Sequence, residues 1–319
     1  MKEVVIGIDI GGTNTKFGYV DREGNNLSSG SIPTDKYENL DDYMDYLHKE
    51  LEKCKNEIDE DIKLAGIGIG APNGNYYKGT IEYAPNLKWK GVVNLTDHFN
   101  KYYDVPVRLT NDANAAALGE MIYGGAKNMK DFIVITLGTG LGSGIVVNGD
   151  VVHGHDGFAG ELGHTIVKPN GRRCGCGRRG CLETYVSATG IKRTVFKLFA
   201  ATMEDSELRK YSYNELTAEM ITKAAEKGDK LALEAFDNTG KVLGLKLADA
   251  VAHTSPEAIF LFGGLSKAGD FIFKPVQQYM EENLLEIYKN KVKILPSGLM
   301  DKNAAVMGAS ALIWKEIND

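Results

Sequence analysis

Val4-Val5-Ile6-Gly7-Ile8-Asp9-Ile10-Gly11-Gly12-Thr13-Asn14-Thr15-Lys16-Phe17-Gly18-Tyr19-Val20 decides the fold class. A near-continuous apolar run reads as a buried strand, the glycines break it, and Phe17 to Val20 starts a second strand that closes at the turn Asp21-Arg22-Glu23-Gly24. A strand, a glycine turn and another strand is not a dinucleotide fingerprint, in which a helix follows the glycines, and GxxxxGK[ST] is absent. Glycine lets the backbone take positive φ and lets amides approach an anion closely. Asp9, at the strand end, can hold a metal-bound water. A tight hairpin with no ligand is the plainer reading of the same residues.

The pattern recurs from residue 131. Phe132-Ile133-Val134-Ile135 is a strand, Gly138-Thr139-Gly140-Leu141-Gly142 a glycine turn, Ile145-Val146-Val147 a strand and Asn148-Gly149 a hairpin turn. A shift of 127 residues carries Gly11 onto Gly138, so the chain reads as two related halves. Four glycines in seven positions weaken a strand, a cost that a binding role offsets; a bulged hairpin is the structural alternative.

Between and after these repeats the period changes. Tyr43, Leu47, Leu51 and Cys54 predict an amphipathic helix over 40–58, with Cys54 a core residue. Residues 62–69 form a strand closed by Gly70-Ala71-Pro72-Asn73-Gly74. Residues 191–252 are mostly helical with a loop near 211–214, 258–262 is a strand ending at Gly263-Gly264, and 270–288 and 304–317 are helices. Strands alternating with helices imply an α/β sheet.

The 319 residues suggest about two domains. With 43% hydrophobic and 25% charged residues the chain can bury a sizeable core. The formal charge of −6 argues against a dedicated nucleic-acid binder. No stretch approaches the ~20 apolar residues that span a bilayer, and Met1-Lys2-Glu3 leads into no signal-peptide core, so a cytoplasmic location and no membrane partner are expected. Three of the 4 Cys lie within eight positions, which points to metal or redox chemistry rather than a disulfide scaffold.

Those three belong to Cys174-Gly175-Cys176-Gly177-Arg178-Arg179-Gly180-Cys181. With His164 they make a Cys₃His set, the donor set of a closed tetrahedral zinc site. The spacing is not the C-x-x-C of a redox motif. Arg172, Arg173, Arg178 and Arg179 read as a solvated basic rim. Gly160-Glu161-Leu162-Gly163-His164 precedes the cluster and Glu183 follows it, so a folded knuckle gathers Glu161, His164 and Glu183, acceptors and donors suited to a polyol; two solvated glutamates are the alternative. In Thr110-Asn111-Asp112-Ala113-Asn114-Ala115-Ala116-Ala117 the acid sits at a helix start. It is either a cap or a carboxylate, kept ionised by the helix, that takes a proton from a substrate hydroxyl.

Asp9-Ile10-Gly11-Gly12-Thr13, Asn111-Asp112, Leu137-Gly138-Thr139-Gly140, Glu161-Leu162-Gly163-His164 and Cys174 to Glu183 occur in the order seen in the ROK family of repressors, open reading frames and sugar kinases, which the chain resembles from about residue 4 to its end. The resemblance implies the actin-like ATPase fold, of hexokinase/Hsp70 type, duplicated, with two α/β domains flanking a cleft. Their expected bounds are 1–115 plus 302–319 for the smaller and 116–301 for the larger, which carries the zinc knuckle. It implies ATP-dependent phosphorylation of a hexose at its 6-hydroxyl, glucose first; the alternatives are another hexose or N-acetylhexosamine (N-acetylmannosamine, N-acetylglucosamine, mannose, fructose, allose). A sugar-responsive regulator is a further alternative, set aside because family repressors carry a DNA-binding domain ahead of the first glycine motif, which here starts at Asp9. Asp112 resembles the catalytic base. Gly70, Asn86, Asn111, Glu161, His164 and Glu183 resemble sugar ligands. Asp9, Gly11, Gly12, Thr13 and Lys16 resemble the first phosphate loop, Gly138, Thr139 and Gly140 the second, and Gly263-Gly264 the adenosine loop. His164, Cys174, Cys176 and Cys181 match structural zinc ligands. ATP with Mg²⁺, a structural Zn²⁺ and a homodimer or homotetramer are implied as cofactors and assembly.

Overall fold

A computed structural model of the chain describes residues 1–299 and 303–317. The chain divides into two compact units. The first is Met1–Met129, Val151–Ala159 and the chain from Gly298; the second is Lys130–Asp150 and Gly160–Ser297. This division differs from an expected boundary at 115/116, which would cut through one continuous helix, Asp112–Ile122. Residues 300–302 and 318–319, on which parts of the expected bounds fall, lie outside the described residues.

In the first unit, β1 (Lys2–Ile10), β2 (Asn14–Asp21) and β3 (Asn26–Pro33) form an antiparallel meander. Helix α1 (Leu40–Asn56) follows; Asn39 caps it by accepting from the Asp41 amide at 2.8 Å, and its stripe of Tyr43, Leu47, Leu51 and Cys54 is buried, as the spacing predicts. β4 (Ile62–Gly70) then pairs parallel with β1. A small sheet of β5 (Gly74–Asn75), β6 (Thr80–Glu82) and β7 (Val92–Asn94) precedes α2 (Leu95–Asn100). β8 (Val107–Thr110) pairs parallel with β4 and leads into α3 (Asp112–Ile122). The strand order is β3-β2-β1-β4-β8.

The second unit repeats that plan. β9 (Phe132–Leu137) and β10 (Leu141–Val147) are antiparallel, and β11 (Asp150–Val151) lies beside β10. The Asn148-Gly149 turn between them has φ of 54° and 85°, the paired left-handed geometry of a two-residue hairpin. Helices α4 (Glu183–Val186), α5 (Ala188–Ala201), α6 (Ala218–Glu226) and α7 (Lys230–Thr254) intervene. β12 (Ala258–Phe262) pairs parallel with β9, α8 (Asp270–Asn283) packs on α7, and β13 (Lys293–Pro296) pairs parallel with β12. The order β11-β10-β9-β12-β13 matches that of the first sheet, and the two glycine turns occupy equivalent hairpins. The helix expected to reach residue 288 ends at Asn283, where Leu284 turns extended and a short 3₁₀ turn follows.

The chain then returns to the first unit as α9 (Ala304–Glu316), whose residues from Val306 to Trp314 are all buried. It packs on α3, β1 and β4. The contact is backbone against backbone: a side chain on Gly68 would start 1.9 Å from the Ala309 carbonyl oxygen, and one on Gly7 2.2 Å from that of Val306. Among the described residues no helix is long and apolar enough to cross a membrane.

Candidate active site and metal centre

In the first unit the C-terminal ends of β1, β4 and β8 bring Asp9, Gly70 and Asp112 together. A Cβ on Gly70 would stand 4.0 Å from Asp9 Oδ1, 3.9 Å from the Asp112 α-carbon and 3.3 Å from Ala115 Cβ, so Gly70 keeps a gap between the acids that a side chain would fill. Asp112 opens α3, and Asn111 is its cap, accepting from the Asn114 amide at 2.7 Å. That bond commits the Asn111 amide oxygen and leaves its NH₂ for a ligand. Asp112 has solvent on one side and protein mass on the other. The enclosure raises its carboxyl above the ordinary range, opposed by the Ala113 amide donating to it at 2.9 Å. Burial and then the charge of Asp112 push Asp9 up to about 6, with Lys16, its cross-strand partner, pulling the other way.

The first glycine turn lies beside these acids. The Gly11 amide donates to the Asn14 carbonyl at 3.0 Å, and the Thr13 carbonyl accepts from Thr34 at 2.8 Å. Gly12 presses on Asn86, whose carbonyl oxygen would lie 2.8 Å from a side chain there. Asp9, Gly11, Gly12, Thr13, Lys16, Gly70, Asn86, Asn111 and Asp112 therefore all lie in the first unit, Asn86 in the loop between β6 and β7 and Asn111 and Asp112 where β8 runs into α3.

The second unit holds the other sequence-predicted residues. The Gly138 amide donates to the Gly140 carbonyl at 3.1 Å, and the Gly138 carbonyl accepts from the Ala188 amide at the start of α5. A side chain on Gly138 would meet nothing within 4 Å, so the outer face of the turn is open. Gly263 has φ 106° and would strike the Leu137 carbonyl with any side chain, which places Gly263-Gly264 against the end of β9, next to this turn.

The ligating atoms of His164, Cys174, Cys176 and Cys181 lie within 4.8 Å of one another. Cys176 Sγ is 3.7 Å from Cys181 Sγ, and Cys174 Sγ is 3.7 Å from His164 Nδ1. A tetrahedron with bonds of about 2.3 Å has edges of about 3.8 Å, so the set fits a zinc ion. Burial and the adjacent Glu183 hold the Cys174 thiol up, and burial and the neighbouring Cys176 do the same for Cys181, so ionising these two calls for a cation. Gly180 completes the knuckle at φ 83°, where a side chain would overlap the Lys168 carbonyl.

Glu183 touches both features: Oε1 lies 2.8 Å from Cys174 Sγ, and Oε2 accepts from the Leu141 amide at 3.5 Å and faces Gly140. His164 Nε2 lies 4.0 Å from Glu161 Oε2. Glu161, His164 and Glu183 are thus neighbours, as the knuckle reading predicts. Arg172 departs from the solvated rim expected of it. Its guanidinium donates to the carbonyls of Thr184 (2.7 Å) and Gly190 (3.0 Å) and to Thr194 Oγ1 (3.0 Å), and stacks on Tyr185. A half-buried guanidinium needs such acceptors, and the buried residues Thr184, Gly190 and Thr194 of α4 and α5 supply them. Sequence reading also passed over Ser143, a buried hydroxyl inside a glycine run with no spacing to mark it.

A family model for ROK matches residues 5–316. The chain belongs to the ROK family. The glucokinase of Halalkalibacterium halodurans is 36% identical to this ROK chain over 323 residues, covering 98% of this chain and 96% of the relative. A ROK family glucokinase from Streptomyces griseus, solved in complex with glucose and AMPPNP, superposes with a TM-score of 0.80 at 32% identity, over 97% of this chain and 98% of that one. A ROK family transcriptional regulator, a homologue of the E. coli MLC protein, superposes with a TM-score of 0.88 at 28% identity, over 99% of this chain and 78% of that one. The fold is the actin-like ATPase fold of the family, as the resemblance implied.

Proposed function

We propose that this ROK protein transfers the γ-phosphoryl group of ATP to the 6-hydroxyl of glucose. The observation that carries the proposal is Asp112, a solvent-exposed carboxyl at the start of α3 beside Asp9 and Gly70, in a chain similar along its whole length to a glucokinase. The fold alone does not choose between kinase and regulator, because the regulator shares it. The choice rests on the acid pair and the two glycine turns, which a binder of sugar alone does not need.

Phosphoryl transfer passes through a loose transition state, so positioning and charge neutralisation dominate. In the proposed mechanism Asp112 aims the sugar hydroxyl and accepts its proton. The amides of Gly12, Thr13, Thr139 and Gly140 receive phosphate oxygens, those of Gly11 and Gly138 being spent inside their own turns, and Asp9 would hold the hydrated Mg²⁺ that accompanies ATP. Gly263-Gly264 leaves room for the adenosine. Gly70, Asn86, Asn111, Glu161, His164 and Glu183 are proposed to hold the sugar hydroxyls. A zinc ion on His164, Cys174, Cys176 and Cys181 supplies a closed structural cross-link with no open position for chemistry. With Nδ1 on the metal, the His164 ring would carry its proton on Nε2, a donor beside Glu161.

A coupled ADP-release assay over glucose, N-acetylmannosamine, N-acetylglucosamine, mannose, fructose and allose tests this. Glucose is expected to give the highest kcat/KM. A higher value on N-acetylmannosamine overturns the choice of sugar, and no turnover on any of them overturns the kinase.

A further inference from the structure

The short 3₁₀ turn Leu162–His164 has no side-chain cap of its own: Glu161, at its capping position, does not close it. The missing bond comes from another element. Ser143, buried on β10, accepts from the Leu162 amide at 3.1 Å, and its hydroxyl donates to the Gly160 carbonyl. One hydroxyl therefore grips the peptides on both sides of Glu161. The His164 amide in turn donates to the Glu161 carbonyl at 3.1 Å, so the grip extends to the imidazole.

The fit around this clamp is close. Gly160 sits at φ 92°, with the Ser143 carbonyl 3.0 Å from where its side chain would begin. A side chain on Gly163 would start 2.3 Å from the Leu141 carbonyl. The turn is thus pressed along β10, and β10 begins where Gly138-Thr139-Gly140 ends. The Leu162 amide also donates directly to the Gly160 carbonyl at 2.8 Å, so the hydroxyl bridges the two ends of one tight turn and pins that turn to β10.

We infer that Ser143 is a positioning residue for sugar binding, fixing Glu161 and His164 on the strand that carries the second glycine turn. The inference rests on the proposed reading of Glu161 and His164 as sugar ligands. Ser143→Ala removes the hydroxyl and little volume, so the strand keeps its packing.

The test has two arms. In the kinetic arm, Ser143→Ala is expected to raise the sugar KM about tenfold, with the ATP KM within twofold of wild type and bound zinc retained. In the second arm, hydrogen exchange of the peptide spanning residues 160–165 is expected to quicken at least tenfold, while that of β12 is unchanged. An unchanged sugar KM overturns the inference. A joint rise of both KM values with a lower melting temperature also overturns it, since that is general loosening. If the wild-type protein phosphorylates no sugar, the proposed function falls on that result alone. Hydrogen exchange then still decides the clamp: unchanged exchange at 160–165 in Ser143→Ala removes it.

Discussion

Asp9 and Asp112 share the space over Gly70, and the charge of Asp112 helps to lift the Asp9 carboxyl to about 6. A carboxyl raised in the folded state from its unfolded value of 3.8 favours folding most when it is protonated. That contribution is whole below about pH 4 and is lost as pH rises through about 6. At neutral pH an ionised Asp9 therefore costs about 3 kcal/mol relative to a neutral group of the same shape.

Asp9→Asn should stabilise the ligand-free protein by up to about 3 kcal/mol at pH 7.5, and by nothing at pH 4. Urea denaturation at the two pH values, without nucleotide or Mg²⁺, measures it. A gain of equal size at both would remove the acid-pair explanation.

Asp112→Asn keeps the side-chain shape and loses the proton acceptor. Glucose affinity by calorimetry should stay near wild type while kcat falls by about 10²–10⁴-fold. A variant with near-normal kcat sinks the assignment of the base.

Gly138→Val puts a branched side chain on the open face of the second glycine turn, where nothing lies within 4 Å. The fold should tolerate it. The ATP KM should rise at least tenfold with glucose affinity little changed, and an unchanged ATP KM in a folded variant would contradict the role given to this turn.

Cys176→Ala removes the exposed member of the metal set. Zinc, read by atomic absorption, should be lost, and glucose affinity should weaken far more than ATP affinity, because Glu183 and His164 are held by the same knuckle. A zinc-free variant with normal glucose affinity leaves the metal as a clip without influence on the sugar.

The duplicated core was legible because each half opens on the same signal, a buried strand broken by glycines at Gly11 and at Gly138. The metal set was legible because its four donors fall within a short stretch of chain. Strands β8 and β13 were not, being only 4 residues each, too short to show a period. Nor was the attachment of 151–159 to the first unit. It depends on Asn75, buried far along the chain, donating to the Asp156 carbonyl at 2.9 Å, and on Tyr76 stacking with His153 at 4.0 Å. Ser143 escaped for a related reason: what it does depends on a turn that folds back onto its strand, and no local pattern encodes that return.

The burial of α9 against β1 and β4 sets an order of events during synthesis. The sheet of the first unit emerges early, yet one of its faces stays bare until residues after 303 have been made. At 5–20 residues per second that wait lasts roughly ten to forty seconds after Met129. The second unit, nearly continuous in the chain, needs no such wait. The half made first is therefore the half completed last, and during that interval its exposed glycine-lined sheet is what a chaperone at the ribosome would have to shield.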